Sequence, residues 1–206
     1  MTSHLILLAS ASTSRYRLLK DGGITPLVQV SDVDEDAIAV QLGQVGTSEL
    51  VVALAAAKGQ AVISNITVTE SRDLLVIAAD SMLEFEGRSY GKPSTPDEAI
   101  KRWQKMQGKS GYLHTGHWVH DLKTGQTQTG TAGAVIEFAE VSDVEIERYV
   151  ASDEPMHVAG AFTHEGRSAA FIKKMDGDTP AVAGLSMVLM RELSSKLGID
   201  WTSLWQ

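Results

Sequence analysis

The sequence predicts a mixed α/β fold, in which a sheet with both parallel and antiparallel strands is flanked by helices. Three observations predict it. The apolar runs at residues 5–9 and 74–79 read as buried strands. Amphipathic stretches bearing helix caps alternate with strand segments along the chain. Several strand segments are joined by short turns, giving hairpins where a fully parallel sheet would need crossovers. No internal repeat, low-complexity tract or interdomain linker interrupts residues 1–206, so a single domain is expected, long enough for one good core or two lobes.

Composition narrows the function classes. Hydrophobic residues make up 43% and charged residues 21% of the chain, ordinary values for a globular protein. The net charge of −8 and the pI of about 5.2 argue against affinity for a nucleic-acid polymer, which needs clustered Lys and Arg. They leave room for a single nucleotide, because a few local cations serve one polyphosphate. The absence of cysteine excludes disulfides, thiolate nucleophiles and Cys-zinc sites. No apolar run approaches the ~20 residues of a membrane span. The run at residues 5–9 is too short for a signal peptide and has no basic segment before it. A cytoplasmic location with no membrane partner is the resulting expectation.

The first strand, residues 5–9, leads into Ser10-Ala11-Ser12-Thr13-Ser14 and then Arg15-Tyr16-Arg17. Small residues let backbone N–H groups approach an anion, Ser12 or Thr13 can cap the helix that begins here, and Arg15 adds a cation. Two readings stand: a helix cap with solvated arginines, or a phosphate cradle. Gly22-Gly23 ends the helix. Residues 27–30 read as a second strand running into Asp32, Asp34, Glu35 and Asp36. These acids serve a solvated loop, or place one carboxylate beside Asp80 to share a divalent cation. A long helix starts at Thr47 or Ser48, with Leu50, Leu54, Ala57 and Ala61 as its buried stripe. Lys58 lies beside that stripe and either snorkels to solvent or reaches phosphate. Residues 64–73 read as a polar connector.

Residues 74–93, LLVIAADSMLEFEGRSYGKP, organise the rest. The buried run ends at Asp80 and Ser81, and residues 82–85 and 88–90 pair as a hairpin across Glu86-Gly87. A carboxylate at the end of a buried strand costs solvation energy unless a charge pairs with it. Ligand crevices in open α/β sheets lie outside the carboxyl ends of strands. Asp80 is therefore a candidate metal ligand or general base, the alternative being a turn-capping Asp, and Lys92 is a candidate phosphate contact.

Thr95-Pro96-Asp97-Glu98 opens the next helix with a capping box and a first-position Pro; Ile100, Trp103 and Met106 form its apolar face, and Gly108 stops it. Gly108-Lys109-Ser110 is no phosphate loop, because Trp103 stands where that motif needs Gly and the segment follows a helix. Residues 112–120 and 127–138 read as strands. His114, His117 and His120 are spaced by three, so on a strand His114 and His117 face opposite sides and do not share a metal. Ser142 and Glu145 make a second capping box, before Ile146, Tyr149 and Val150. Residues 169–173 read as a strand, 176–178 as a turn and 180–197 as a last helix.

Three stretches, in this order, resemble the Maf family of nucleoside triphosphate pyrophosphatases: LLASASTSRYRLL at 7–19, AADSMLEFEGRSYGKP at 78–93 and EPMHVAGAFTHEGR at 154–167. The resemblance implies a two-lobed fold like that of the inosine-triphosphate pyrophosphatases, with a curved mixed sheet flooring a central cleft. It implies hydrolysis of a nucleoside triphosphate to the monophosphate and pyrophosphate with a divalent cation, Mg2+ or Mn2+, and removal of non-standard or modified nucleotides. By position, Asp80 matches the proton acceptor, and Ser10 and Arg15, with Ser12 between them, match the phosphate loop. Glu35, Lys58 and Lys92 match the remaining charges, and Asp80 with Glu35 would hold the metal. Ser14, Ser81 and Glu165 fall where the family's base choice is made. Here the chain departs from the commonest pattern: Thr13 and Ser14 replace Pro and Arg, Ser81 replaces Thr, Glu165 replaces Gln, and Gly111 replaces a frequent His. An ionised Glu cannot donate a hydrogen bond as Gln does, so a dTTP/UTP preference is not carried over. The missing cation at Ser14 supports an alternative, a catalytically weak nucleotide-binding regulator of cell division. The family's habit also implies a homodimer.

Overall fold

The computed structural model describes residues 4–66 and 73–206; most of the expected connector, residues 67–72, lies outside the described residues. In chain order the elements are β1 (Leu5–Leu8), α1 (Thr13–Asp21), β2 (Leu27–Val28), α2 (Glu35–Leu42), α3 (Thr47–Ser64), β3 (Leu74–Phe85), β4 (Arg88–Tyr90), α4 (Pro96–Met106), β5 (Ser110–Asp121), β6 (Gln126–Phe138), α5 (Asp143–Val150), β7 (Ile172–Gly177), α6 (Thr179–Val182) and α7 (Met187–Lys196). The strands form one sheet in the order β2-β1-β3-β5-β6-β7, with β4 paired to β3. β1 is parallel to β2 and β3, whereas β4 is antiparallel to β3 and β7 to β6. This is the mixed sheet with flanking helices that the sequence predicts. Among the described residues no helix is long and apolar enough to cross a membrane.

The chain divides into two compact units. The described residues of the first fall within Met1–Asp80, Thr115–Ala132 and Gly184–Gln206. Its strands are apolar on both faces because both are covered. Ile6, Leu8, Leu75, Ile77 and Ala79 pack with Leu19 of α1, Met190 and Leu193 of α7 and Trp201. Leu7, Ala9, Leu74, Val76 and Ala78 pack with Ala55 and Val62 of α3 and Trp118 of β5. The buried stripe of α3 is Thr47, Val51, Leu54, Ala55, Gly59 and Val62, so of the expected stripe only Leu54 is buried. Small residues carry the contact and shift its phase. A Cβ on Gly59 would overlap the Trp118 ring, and one on Gly116 would overlap the Val51 backbone. The two glycines let α3 lie directly on β5.

The second unit comprises Ser81–His114 and Gly133–Ala183. Its core centres on Trp103 of α4, whose ring meets Phe138, Tyr149 and Phe171 edge-on, each at 5.6 Å. The Trp103 indole N–H donates to the Ala161 carbonyl at 2.8 Å, so the largest buried side chain leaves no polar atom unmet. Glu86 and Gly87 have φ of 49° and 72°, the positive pair of a two-residue hairpin turn, as the Glu86-Gly87 motif predicts. The Ser142–Glu145 capping box is complete. At the start of α4 half of the expected box forms: Thr95 accepts from the Glu98 N–H, but the Glu98 carboxylate turns to Ser94 and Arg102.

Several local expectations are corrected. β3 runs unbroken through Asp80 and Ser81, because backbone pairing continues where side-chain polarity changes. The second strand is only Leu27–Val28, and the acidic run is a helix start: Asp34 caps α2 and Glu35 is its first residue. Residues 167–171 form a 3-10 turn, and β7 takes in the expected turn residues Asp176 and Gly177. The single last helix is two, parted around Gly184, whose φ of 110° no continuing helix allows; Ser186 then caps α7.

Candidate active site

Strand parity decides where Asp80 points. Leu74, Val76 and Ala78 face α3, and Asp80 continues that alternation. Lys58 lies on α3 beside Gly59, where the helix approaches Trp118 most closely. Its Nζ donates to Asp80 Oδ1 at 2.5 Å and lies 2.8 Å from Glu35 Oε1. The Glu35 backbone is held at the first position of α2, where Asp34 accepts from the Ala37 N–H at 2.9 Å. The Lys58 and Asp80 side chains are 12% and 8% exposed, whereas Glu35 is 48% exposed. The expectation that Lys58 either snorkels or reaches inward resolves inward.

The serine loop and Arg15 form one hydrogen-bonded group. Ser12 caps α1 by accepting from the Arg15 N–H at 3.3 Å. Ser10 Oγ accepts from Arg15 Nη1 at 2.9 Å and from the Ser12 N–H at 3.2 Å. Arg15 Nε donates to the Gly184 carbonyl at 2.9 Å. Arg15 is buried, so it is not the solvated arginine of a plain cap. Gly184 is not among the residues the sequence singles out, yet a Cβ there would stand 3.0 Å from Arg15 Nε. The available signal was a Gly inside an apparent helix, with Ser186 as a fresh cap just beyond it.

Burial pushes the Asp80 carboxyl above the usual carboxylate range, against the opposing pull of Lys58 and Arg15, while Glu35 adds to the rise. Burial lowers the Arg15 guanidinium, and the charges of Asp80 and Glu35 oppose that. Two cations and two carboxylates thus act on one another within the first unit. A buried carboxylate of raised pKa accepts a proton more readily, and neighbouring cations favour an anionic ligand.

Glu35 and Asp80 each aim an oxygen at the same ammonium. Among the described residues no group of three or more His, Cys, Asp or Glu side chains is placed to hold a metal. Two hard carboxylates fit a Mg2+-sized ion that arrives with phosphate oxygens and water to complete its shell; they do not fit a metal caged by protein alone. The histidines diverge. His114 pairs with Glu84 at 3.0 Å, His117 Nε2 accepts from the Ser186 N–H, and His120 stacks on Trp118 and bonds Thr127.

Ser14 lies half-buried in the first turn of α1. Ser81, Lys92 and Glu165 belong to the second unit. Ser81 follows Asp80 on the other parity of β3, Lys92 is exposed after β4, and Glu165 is exposed with its N–H donating to Thr163 Oγ1 at 3.2 Å.

A family model described as Maf-like protein matches residues 5–197. The chain is 46% identical over 200 residues to a Streptomyces coelicolor protein named nucleoside triphosphate pyrophosphatase, covering 97% of this chain and 94% of that one. Proteins of the same name match at 44% over 203 residues in Saccharopolyspora erythraea, covering 97% and 96%, and at 43% over 201 residues in Gloeothece citriformis, covering 97% of each. Among solved structures, the Staphylococcus aureus Ham1 protein aligns with 66% of this chain and 72% of its own at a TM-score of 0.39 and 17% identity, too low to bear on fold or function. The family match and the identities extend over nearly the whole sequence, and the three motifs lie within it in order: the chain belongs to the Maf-like protein family.

Proposed function

We propose that this protein hydrolyses a nucleoside triphosphate to the monophosphate and pyrophosphate. The observation that carries the reading is the Lys58 ammonium held between Asp80 and Glu35, with Arg15 acting on the same carboxylates. Relatives at 42–46% identity bear the name nucleoside triphosphate pyrophosphatase, which supports the same reaction class.

In this mechanism Asp80 accepts a proton from the attacking water, the water oxygen bonds phosphorus, and the anhydride bond breaks with its electron pair leaving on pyrophosphate. Raised basicity favours Asp80 in that role. Lys58 orients the carboxylate and spreads positive charge toward the phosphates, and the Ser10–Ser12–Arg15 group offers donors to the polyphosphate. Glu35 and Asp80 would hold a Mg2+ or Mn2+ ion, which when bound would neutralise charge on the phosphate oxygens; that role for Asp80 competes with its role as proton acceptor, since a cation on the carboxylate lowers its basicity.

A role against non-standard or modified nucleotides is supported by the family resemblance. Ser14 and Glu165, in place of Arg and Gln, argue against assuming a pyrimidine preference. The test is pyrophosphate release from a panel of standard, methylated and otherwise modified triphosphates, with Mg2+ or Mn2+ present. One or more should turn over, and Asp80→Asn should lose at least about 100-fold. Full activity in Asp80→Asn would sink the assignment of the base. Tight binding of a nonhydrolysable triphosphate without turnover of any substrate would favour the regulatory reading.

A further inference from the structure

The second unit holds a cavity that the proposed hydrolysis does not use. It is a pocket of about 180 Å³, open to solvent, lined by Phe85, Tyr90, Glu98, Lys101, Arg102 and Lys105. Its aromatic residues sit on the β3–β4 hairpin, where the Phe85 and Tyr90 rings lie 6.5 Å apart and inclined by 56°. The others sit on α4. The Arg102 guanidinium stacks 4.9 Å from the Tyr90 centroid.

The charges of this cavity are unequally committed. Arg102 is 5% exposed; Nη1 donates to the Gly91 carbonyl and Nη2 to Glu98, both at 2.6 Å. Its buried Nε has no hydrogen-bond partner among the described residues. Glu98 is engaged by the Ser94 N–H, the Ser94 hydroxyl and Arg102. Lys101 and Lys105 are exposed and stand one helical turn apart on the same face of α4. Nearby, Lys109 bonds Glu86 and, with Lys105 and Arg88, holds its carboxyl below the usual range. In a chain of net charge −8, this surface is a local excess of positive charge.

We propose that this cavity binds a small aromatic anion: one six-membered ring against Phe85 and Tyr90, with its carboxylate or phosphate on Lys101 and Lys105. The volume admits one six-membered ring, as a cavity of about 150 Å³ holds a benzene ring, and because the pocket is open to solvent the rest of a larger guest can extend out of it. The two rings favour offset or edge contact with a flat guest. The lysines supply charge-assisted donors to an otherwise largely apolar open pocket, and the engaged Glu98 does not answer them. The same chemistry is offered by a free aromatic carboxylate and by the base and phosphate of a pyrimidine nucleoside monophosphate.

The test is an NMR titration of the isotope-labelled full chain with phenylacetate and uridine 5′-monophosphate. Uridine serves as the ring without the anion, and inorganic phosphate as the anion without the ring. The expected result is binding of one or both anionic rings at about 1 mM or tighter, with amide shifts centred on Phe85, Tyr90 and Arg102. Uridine and phosphate should each bind at least about tenfold more weakly, and K101E/K105E should weaken the anionic ring about tenfold, with an unchanged melting curve. Preference for phenylacetate or for the nucleotide identifies the source. The proposal is overturned if neither anionic ring shifts those amides, if shifts appear at residues 10–15 alone, if phosphate binds as well as the ring-bearing anions, or if charge reversal leaves affinity unchanged. Because the readout is binding, it is independent of whether the Asp80 cluster turns over a triphosphate.

Discussion

The Lys58 ammonium is shared: it donates to Asp80 across 22 residues of sequence and lies within ion-pair distance of Glu35. Asp80 is the more buried of the two carboxylates, so it depends most on this cation. A buried charge that loses its partner costs far more than the pair contributes when intact.

Lys58→Met should therefore destabilise the first unit by about 3–5 kcal/mol at neutral pH. Adding Asp80→Asn should recover much of that loss, because the carboxylate that needed the ammonium is gone. Urea unfolding of the parent, both single variants and the double variant gives the coupling directly. If the double variant loses the sum of the two singles, the residues are energetically independent and the cluster is not a unit.

The pH dependence of stability has a defined sign. The Asp80 carboxyl in the folded protein lies above its ordinary 3.8, chiefly through burial. Between the unfolded and folded values the native state binds the extra proton, so the stability associated with this group is full below the unfolded value and falls as pH rises. Asp80→Asn lacks that dependence. Its stability relative to the parent should improve from about pH 4 upward and level off above the folded value of Asp80. The acid limb of kcat/KM should likewise lie above the ordinary carboxylate range. A constant stability difference between the two proteins across that interval would remove the raised carboxyl from the account.

Much of this arrangement was legible in the chain, and the failures share a cause. The apolar runs at Leu74–Ala79 and the serine cap at Ser142 announce themselves through local composition, and the structure places both as expected. Asp80 is legible as a chemically costly residue, but its position inside an unbroken strand is not, because hydrogen-bond pairing leaves no mark on side-chain polarity. The phase of α3 differs from the expected stripe because its buried face runs through Val51, Ala55, Gly59 and Val62 rather than through Leu50, Ala57 and Ala61. Glycine carries no hydrophobic signal, yet at Gly59 it allows α3 to lie against Trp118. Ser10, Arg15, Glu35, Lys58 and Asp80 are individually legible in the sequence. Their geometry was not legible, since nothing local joins residue 58 to residue 80, and the Gly184 carbonyl that holds Arg15 is a backbone atom 169 residues away.

Arg15→Lys tests whether the serine loop needs a fork or only a charge. Arg15 spans two acceptors at once, the Gly184 carbonyl through Nε and Ser10 Oγ through Nη1. A lysine ammonium keeps the charge but not that planar geometry. The expected loss is about 2 kcal/mol in urea unfolding, with a raised KM for the triphosphate if the loop cradles phosphate. Unchanged stability would mean that the two hydrogen bonds contribute nothing beyond charge.

The last prediction concerns the contact that positions Lys58. Gly116 of β5 lies so close to α3 that a Cβ would overlap the Val51 carbonyl group and the Val52 nitrogen. These are backbone atoms, and no rotamer change relieves the overlap, so the helix itself must retreat. Gly116→Ala should cost about 3 kcal/mol or more, and in protein that still folds, turnover should fall because Lys58 moves with the helix. Gly125→Ala is the control. That glycine has a φ of 69° but nothing within 4 Å of its would-be Cβ, so its cost should be the backbone term alone, about 1–2 kcal/mol, with turnover unchanged. Equal stability losses in the two variants would show that conformational strain alone decides both, and that the close approach of α3 to β5 does not hold the lysine in place.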